Sequence, residues 1–234
     1  MDEAEFDRFA DEYRSMHEQN IKVSGESPEY FAEYKIKDIA RELGGHCQPS
    51  HDGLRVLDFG GGIGNSVPYV RRWLPGARLT CADVSKKSLE IAGGRFPGQA
   101  AFVPISDDRL PFDDQTFEVV FVSCVFHHIP HEEHVRILGE LNRVLRAGGY
   151  LFLFEHNPFN PLTVQAVNTC PFDENARLIR PGVMRQRVRV AGFGETRVRF
   201  RIFFPHALRR LRPLESRLRW LPLGAQYYVM ARKS

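Results

Sequence analysis

The chain has 234 residues, of which 43% are hydrophobic and 26% charged, values typical of one folded globular domain that exclude wholesale disorder. The net charge of +3 at pH 7 does not by itself indicate a nucleic-acid partner, and we expect none. The longest apolar stretch, Val119 to Phe126, is far shorter than the ~20 residues that a membrane-spanning helix requires.

The cysteines and the amino-terminal residues favour a cytoplasmic location. The four cysteines are scattered without a CxxC pair, so their spacing is neither that of a zinc site nor that of a small disulfide-rich domain. Residues 1–20 are acidic and helical in pattern and lack the basic start and apolar centre of a secretory signal.

Two helical patterns precede the first predicted strand. The first covers residues 2–19, and the second begins at Ser27-Pro28 and ends at Gly44-Gly45. We expect residues 1–45 to form an amino-terminal helical unit of a single domain that covers residues 1–234.

From residue 54 onward, strand and helix patterns alternate. Helices are predicted at 64–74, 86–93 and 131–145, and strands at 54–59, 78–83, 100–105, 117–122 and 150–154. Alternation of this kind predicts an α/β fold with a largely parallel, doubly wound sheet and helices on both faces.

The last third of the chain departs from this alternation. After a helix near 181–191, two strand-like segments, 196–204 and 225–232, are joined by about twenty residues without a helical crossover. We expect them to form an antiparallel hairpin, which makes the sheet a Rossmann-like sheet of seven strands.

A glycine-rich turn follows the first strand. Gly60, Gly62 and Gly64 lack side chains where a ligand would lie across the end of the strand. The second strand ends in Asp83, whose carboxylate can accept both hydroxyls of a ribose. A nicotinamide dinucleotide and S-adenosylmethionine both satisfy this pattern, although the nicotinamide fingerprint requires a further glycine where this chain has Asn65.

Four motifs, in order, resemble those of class I S-adenosylmethionine-dependent methyltransferases, most closely the small-molecule group that is similar to enzymes of ubiquinone and menaquinone biosynthesis. The likeness covers about residues 50–155, and the motifs are Asp58 to Gly64, Asp83-Val84-Ser85, Leu110 to Val120, and Val125 to His128 with Leu141 to Gly149. The resemblance implies that S-adenosylmethionine is the cofactor and that S-adenosylhomocysteine is the product formed from it.

The resemblance also implies positions for cofactor-binding residues. The methionine portion would lie against Asp58, Gly60, Gly61 and Gly62, the ribose against Asp83, the adenine against Val84, and the underside of the cofactor against Ser123. The family usually has an acid where this chain has Ser106, so we expect Ser106 or the adjacent Asp107 to meet the adenine amino group. Tyr13, in a segment similar to the family's lid helix, would close over the cofactor, although an aromatic residue on a helix more often belongs to a core.

Methyl transfer to a hydroxyl group requires a proton acceptor, whereas transfer to other nucleophiles can need only positioning. The candidates directly follow strands whose ends form the crevice, and they are His127, His128, Glu155 and His156. Each also has a structural interpretation, as a buried histidine or as a polar residue of a loop or helix start. Together with His131 and His134 the histidines have no metal-site spacing, and Pro130 interrupts them, so we expect no metal and a surface helix start instead.

The carboxyl-terminal region is strongly basic. Residues 177–234 contain 15 Lys and Arg but only two acids, Glu195 and Glu215. Within it, residues 206–222 interleave arginine with leucine and Trp220, a pattern that fits contact with an anionic membrane. The alternative, which we favour from sequence, is that the apolar side chains cover the end of the sheet while the arginines face water.

These observations predict a cytoplasmic methyltransferase that acts on a small-molecule or lipid-like acceptor, most readily at oxygen. The acceptor site is expected among the amino-terminal helices and in the segment from Glu155 to Phe172. Two alternatives remain at this point: a nicotinamide-dependent oxidoreductase, and a protein that keeps the cofactor fold for binding without catalysis.

Overall fold

The computed structural model describes residues 25–44, 51–106, 109–170 and 175–234. The predicted helix at 2–19, Tyr13, Asp107 and the end of the expected acceptor segment at 171–172 lie outside these residues. Among the described residues, no helix is both long enough and apolar enough to cross a membrane.

Seven strands form one sheet with the order β3-β2-β1-β4-β5-β7-β6. The first five strands pair in parallel, and β7 pairs antiparallel with β5 on one side and with β6 on the other. The predicted seven-stranded, doubly wound α/β fold with an antiparallel carboxyl-terminal pair is therefore confirmed. The strands are β1 (Arg55–Phe59), β2 (Arg78–Asp83), β3 (Ala101–Pro104), β4 (Phe117–Ser123), β5 (Leu145–His156), β6 (Phe193–Arg201) and β7 (Gln226–Lys233).

Helices cover both faces of the sheet, and short helices lie in the connections. The helices are α1 (Pro28–Gly44), α2 (Val67–Trp73), α3 (Lys86–Arg95), α4 (His134–Val144), α5 (Pro161–Asn168), α6 (Pro181–Val190) and α7 (Glu215–Leu218), with 3₁₀ helices at Phe126–His128 and His206–Leu214. The sequence analysis missed α5, although Asn160 caps it by accepting a hydrogen bond from the backbone N–H of Thr163 at 3.1 Å.

Side chains of successive residues in the central strands point to opposite faces of the sheet. Because helices cover both faces, the strands have runs of consecutive apolar residues. Val56 and Phe121 pack in the cluster that includes the buried side of α1 and α2. Leu57 and Val120 pack in the cluster that includes α4 and α6. Both faces of the sheet are therefore occupied, and a ligand has room only beyond the ends of the strands.

The connection between β6 and β7 lies at the same edge as the carboxyl ends of the parallel strands. The start of β7, Gln226, pairs with His156 at the end of β5 and with Arg201 at the end of β6. Residues 202–225 therefore leave and re-enter the sheet beside the crevice where the cofactor motifs end.

The orientation of this connection differs from the one that we favoured from sequence. Leucines 208, 211 and 214 face solvent, whereas Arg212 and Arg219 turn inward to Glu26 and Glu42. The sequence interpretation was wrong for these leucines and for Arg212 and Arg219, because the carboxylates that pair with the two arginines lie on or just before α1, far away in the sequence.

Candidate functional site

The glycine-rich turn is held against the end of β2. The backbone N–H groups of Gly60 and Gly61 donate to the carbonyl oxygen of Ala82 at 2.8 and 3.2 Å. Gly60 has φ +77°, and a Cβ at this position would lie 2.4 Å from the side chain of Val125. Gly62, with φ +49°, has open space where its Cβ would be. The turn therefore requires glycine at residue 60 and leaves an open surface above residue 62.

Asp83 fixes this turn and faces the crevice. Its Oδ2 accepts a hydrogen bond from the N–H of Gly62 at 2.8 Å, and its Oδ1 accepts one from the N–H of Ser85 at 2.9 Å. A carboxylate oxygen has two lone pairs and can accept more than one hydrogen bond. The position is suitable for holding two vicinal hydroxyl groups, as predicted for a ribose.

Asp58 is a buried carboxylate with one unsatisfied oxygen. The hydroxyl of Ser66 donates to its Oδ2, while Oδ1 is buried and has no hydrogen-bond partner among the residues that the structure describes. Burial raises the pKa of Asp58 to about 7, because the bond from Ser66 offsets the desolvation only in part and the negative charge of Asp83 adds to it. A positively charged donor placed at Oδ1 would satisfy this carboxylate.

Lys35 supplies a positive charge at the same edge, and the sequence analysis did not include it. The residue lies on α1 and is only 7% exposed, and its Nζ donates to the thiol sulfur of Cys124 at 3.4 Å. It forms no salt bridge to a carboxylate among the described residues, although its charge acts on Asp58. The one signal in the sequence was a lysine between the apolar positions Tyr34 and Ile36.

Cys124 occupies the turn directly after β4 with φ +57°, a backbone conformation that is uncommon outside glycine. Burial raises the pKa of its thiol, although the nearby Lys35 opposes this. The thiol is therefore neutral at physiological pH and does not neutralise the lysine.

His127 and Glu155 form a buried pair between the ends of β4 and β5. The Nδ1–H of His127 donates to Oε2 of Glu155 at 2.7 Å, and Oε1 accepts the N–H of Phe126 at 2.8 Å. Burial would raise the pKa of Glu155, but the charge and hydrogen bond of His127 outweigh it and place this pKa below its ordinary value. The carboxylate stays ionised and fixes the orientation of the imidazole.

The other two predicted proton acceptors lie beside this pair. The ring of His128 is 4.2 Å from that of His127, and the ring of His156 is 5.1 Å away, measured between centroids. The Nδ1 of His156 is 3.5 Å from the Nε2 of Gln226. The structure thus brings all four candidates together at one end of the sheet.

The remaining predicted cofactor residues lie at the same edge. Val84, just after β2, is partly buried against the core, and Ser123 is the last residue of β4. Ser106 follows β3 and is exposed. Their contacts with the cofactor stay predictions, as do those of Asp107 and Tyr13.

His134 corrects the expectation of a surface helix start. It is fully buried, and both ring nitrogens are hydrogen-bonded. Its Nε2–H donates to the carbonyl oxygen of Ile129 at 3.0 Å, and its Nδ1 accepts from Arg187 at 2.6 Å. Burial lowers its pKa to about 4, so the ring is neutral. In the described ranges, no three His, Cys, Asp or Glu side chains are grouped to hold a metal ion.

These residues together suit a ligand that contains an ammonium, a carboxylate and a ribose. Asp58 offers a carboxylate oxygen and Lys35 a cation, neither of them with a partner of opposite charge among the described residues, and Asp83 offers an oriented acceptor. The methionine and ribose portions of S-adenosylmethionine contain all three groups, so the residues present fit this cofactor.

Comparison with known proteins supports the same assignment. Residues 57–153 match the family model described as a methyltransferase domain. The chain is 36% identical over 112 residues to phthiotriol/phenolphthiotriol dimycocerosates methyltransferase 1 of Mycobacterium ulcerans, an alignment that covers 47% of this chain and 40% of that protein. It is 33% identical over 105 residues to ubiquinone/menaquinone biosynthesis C-methyltransferase UbiE of Desulfotalea psychrophila, covering 44% of this chain and 42% of that protein.

A solved structure extends the likeness of fold over the whole chain. The crystal structure of a SAM-dependent methyltransferase of Thermotoga maritima, described as a possible histamine N-methyltransferase, superposes with a TM-score of 0.67 at 20% identity. The superposition covers 99% of each chain. Residues 57–153 thus match a methyltransferase domain, and the fold of the chain is that of S-adenosylmethionine-dependent methyltransferases.

Proposed function

We propose that this protein transfers the methyl group of S-adenosylmethionine to a hydroxyl oxygen of a lipid-like acceptor, with His127 as the proton acceptor. The observation that carries the proposal is the buried pair of His127 and Glu155 at the ends of two central strands. The carboxylate of Glu155 stays ionised although it is fully buried, and burying an ionised group is costly.

The cofactor would be held through its polar ends. Asp58 would accept the α-ammonium group, Lys35 would donate to the α-carboxylate, and Asp83 would accept the ribose hydroxyls. When bound, the cofactor supplies an electrophilic methyl group on a sulfonium. The protein then has to position the acceptor in line with this group and exclude water.

The histidine pair provides the base that a hydroxyl nucleophile requires. Because Nδ1 of His127 donates to Glu155, we assign the role of proton acceptor to Nε2. The ionised carboxylate of Glu155 would stabilise the imidazolium that forms, in the way that a buried aspartate supports histidine in hydrolases. Glu155 is thus a positioning residue, whereas His127 would contact the acceptor.

Apolar side chains near the crevice favour a lipid-like acceptor. Phe159 and Leu162 are exposed at the end of β5, and Leu223 lies beside them because Asn160 donates to its carbonyl oxygen at 2.8 Å. An open groove of about 530 Å³ runs along α5 and is lined by Phe159, Pro161 and Val164. The relatives named for phthiotriol dimycocerosates and for ubiquinone and menaquinone biosynthesis are consistent with acceptors of this kind.

The test is a product survey with S-adenosylmethionine labelled in its methyl group and a lipid extract of the source organism. We expect the label in a lipid fraction, in a methyl ether that forms with wild-type protein and not with His127→Asn. Label on carbon or nitrogen would refute the hydroxyl acceptor, and label confined to water-soluble products would refute the lipid-like one. Cofactor binding without transfer to any component would instead establish a binding protein.

A further inference from the structure

The connection between β6 and β7 presents a row of apolar side chains to solvent. Leu208, Leu211 and Leu214 are 48%, 41% and 47% exposed, and Trp220 is 70% exposed. In a 3₁₀ helix, residues three apart lie above one another. Leu211 and Leu214 therefore share one side of the His206–Leu214 helix, whereas Leu208 lies at a kink where the backbone is not helical. A grouped set of exposed apolar side chains indicates contact with an apolar partner.

The arginines of this connection divide into two groups. Arg212 pairs with Glu26 and lies 4.5 Å over the ring of Tyr30, and Arg219 pairs with Glu42 at 3.3 Å. These two side chains attach the connection to the protein. The second group is exposed and forms no ion pair with a described residue, and it consists of Arg209, Arg210 and Arg217.

Buried contacts fix which side of the connection faces outward. Oε1 of Glu215 accepts hydrogen bonds from the N–H groups of Phe203 and Phe204 at 3.0 and 3.2 Å. Its Oε2 lies 3.5 Å from Arg201, which also pairs with Asp38. The exposed leucines are thus part of a defined conformation, set by side chains that lie inside the protein.

We propose that the side chains of Leu208, Leu211, Leu214 and Trp220, with Arg209, Arg210 and Arg217, form a surface that binds a bilayer containing anionic lipids. We name these seven residues the leucine–arginine face. Amphipathic segments bind membranes by inserting apolar side chains while their arginines meet lipid phosphates. The charge of this region is opposite to that of anionic lipids, because residues 177–234 contain 15 basic residues and two acids.

The leucine–arginine face lies near the crevice, so a bilayer bound to it would adjoin the candidate site. Residues 202–225 emerge at the edge of the sheet where Gln226 pairs with His156. A bilayer bound there would lie next to the crevice and beside Phe159 and Leu162. The inference does not depend on methyl transfer, since binding to lipid can be measured with no cofactor present.

The test is flotation of the full chain with vesicles of phosphatidylcholine alone and with vesicles that also contain phosphatidylglycerol. We expect binding to the anionic vesicles to be at least about tenfold stronger and to weaken with salt. The double variants Leu211→Glu/Leu214→Glu and Arg209→Glu/Arg210→Glu should each lose at least about tenfold in binding. All four side chains are exposed, so thermal unfolding should match the wild type.

Matched controls come from α6, which leads to the start of β6 at the opposite edge of the sheet. Val190→Glu and Arg185→Glu change an apolar residue that is 65% exposed and an exposed arginine, and they should bind vesicles like the wild type. Equal loss in variants and controls would overturn the proposal, as would no binding to anionic vesicles.

Discussion

The ammonium group of Lys35 lies 3.4 Å from the thiol of Cys124, a neutral partner for a buried cation. A buried charge without an opposite charge lowers the stability of a protein, so its presence indicates a function. The nearby Asp58 has the opposite charge, and its Oδ1 has no hydrogen-bond donor among the described residues. The two residues thus offer opposite charges to the two ends of an α-amino acid.

We expect Lys35→Met to weaken binding of S-adenosylhomocysteine at least about tenfold and to leave binding of 5′-methylthioadenosine unchanged, because the latter has no carboxylate. The same substitution should raise the free energy of unfolding of the unliganded protein by about 1 kcal/mol. Isothermal titration and urea unfolding measure the two effects. The control is Lys37→Met, which alters an exposed lysine of the same helix; equal weakening of both ligands would contradict the role of Lys35.

Cofactor affinity should depend on pH through Asp58. Its pKa of about 7 means that the carboxyl group is largely protonated below pH 7 in the unliganded protein, whereas an ammonium ligand favours the ionised form. Binding then releases a proton, and the affinity for S-adenosylhomocysteine should rise about tenfold from pH 6 to pH 8. Titrations in buffers of different ionisation enthalpy report this proton release. Asp58→Asn should bind more weakly and lose the pH dependence, and a wild-type affinity that is flat over this range would exclude the mechanism.

Asp83→Ala should weaken cofactor binding at least tenfold, or ~1.4 kcal/mol. The substitution removes the acceptors for the N–H groups of Gly62 and Ser85 as well as those proposed for the ribose. Fluorescence or calorimetric titration with S-adenosylhomocysteine and with adenosine should show the same loss for both. Asp113→Ala, which removes an exposed carboxylate, serves as the control, and an unchanged affinity of Asp83→Ala would refute its role.

His127→Asn and Glu155→Gln should reduce methyl transfer while leaving cofactor affinity within about twofold. Loss of a proton acceptor lowers kcat about a hundredfold or more, and loss of the group that orients it has a smaller effect. The measurement is turnover under saturating cofactor once an acceptor is known, with His51→Asn as the control. Full activity in His127→Asn would show that transfer proceeds without this base.

The buried ion pairs of Asp38 should matter for stability. Asp38 is 1% exposed and pairs with Arg41 at 2.9 Å and with Arg201. Asp38→Asn leaves the partly buried Arg201 with less compensation, so we expect a loss of about 3 kcal/mol in the free energy of unfolding. Urea denaturation measures it, and Glu132→Gln, at an exposed carboxylate, should change it little.

The sequence was sufficient for the sheet because each strand carries its own local pattern. Val119 to Val122 is apolar without interruption, and the glycines between Gly60 and Gly64 predict the turn after β1. Most residues of the candidate site were predicted, but the contacts between them were not. His127 and Glu155 meet because β4 and β5 are neighbours, and this adjacency is a property of the sheet rather than of either segment.

Lys35 escaped prediction for a related reason. A lysine in a helix is normally solvated, and its burial here follows from how α1 packs across the ends of β4 and β7. The outward leucines likewise depend on Glu26 and Glu42, whose positions opposite Arg212 and Arg219 no local pattern encodes. Long-range contacts of this kind decide which face of a segment is covered.

The strand order also constrains how the chain assembles. β6 precedes β7 in the sequence, yet it bonds to the sheet only through β7, which lies between β5 and β6. During synthesis, β6 is therefore made before β7, the strand with which it pairs. The edge of β5 stays unpaired until residues 226–233 have been synthesised. Pairings between distant segments form slowly, and unpaired strand edges promote aggregation. Substitutions that weaken β7 should thus lower the yield of folded protein more than their effect on the finished structure alone would suggest.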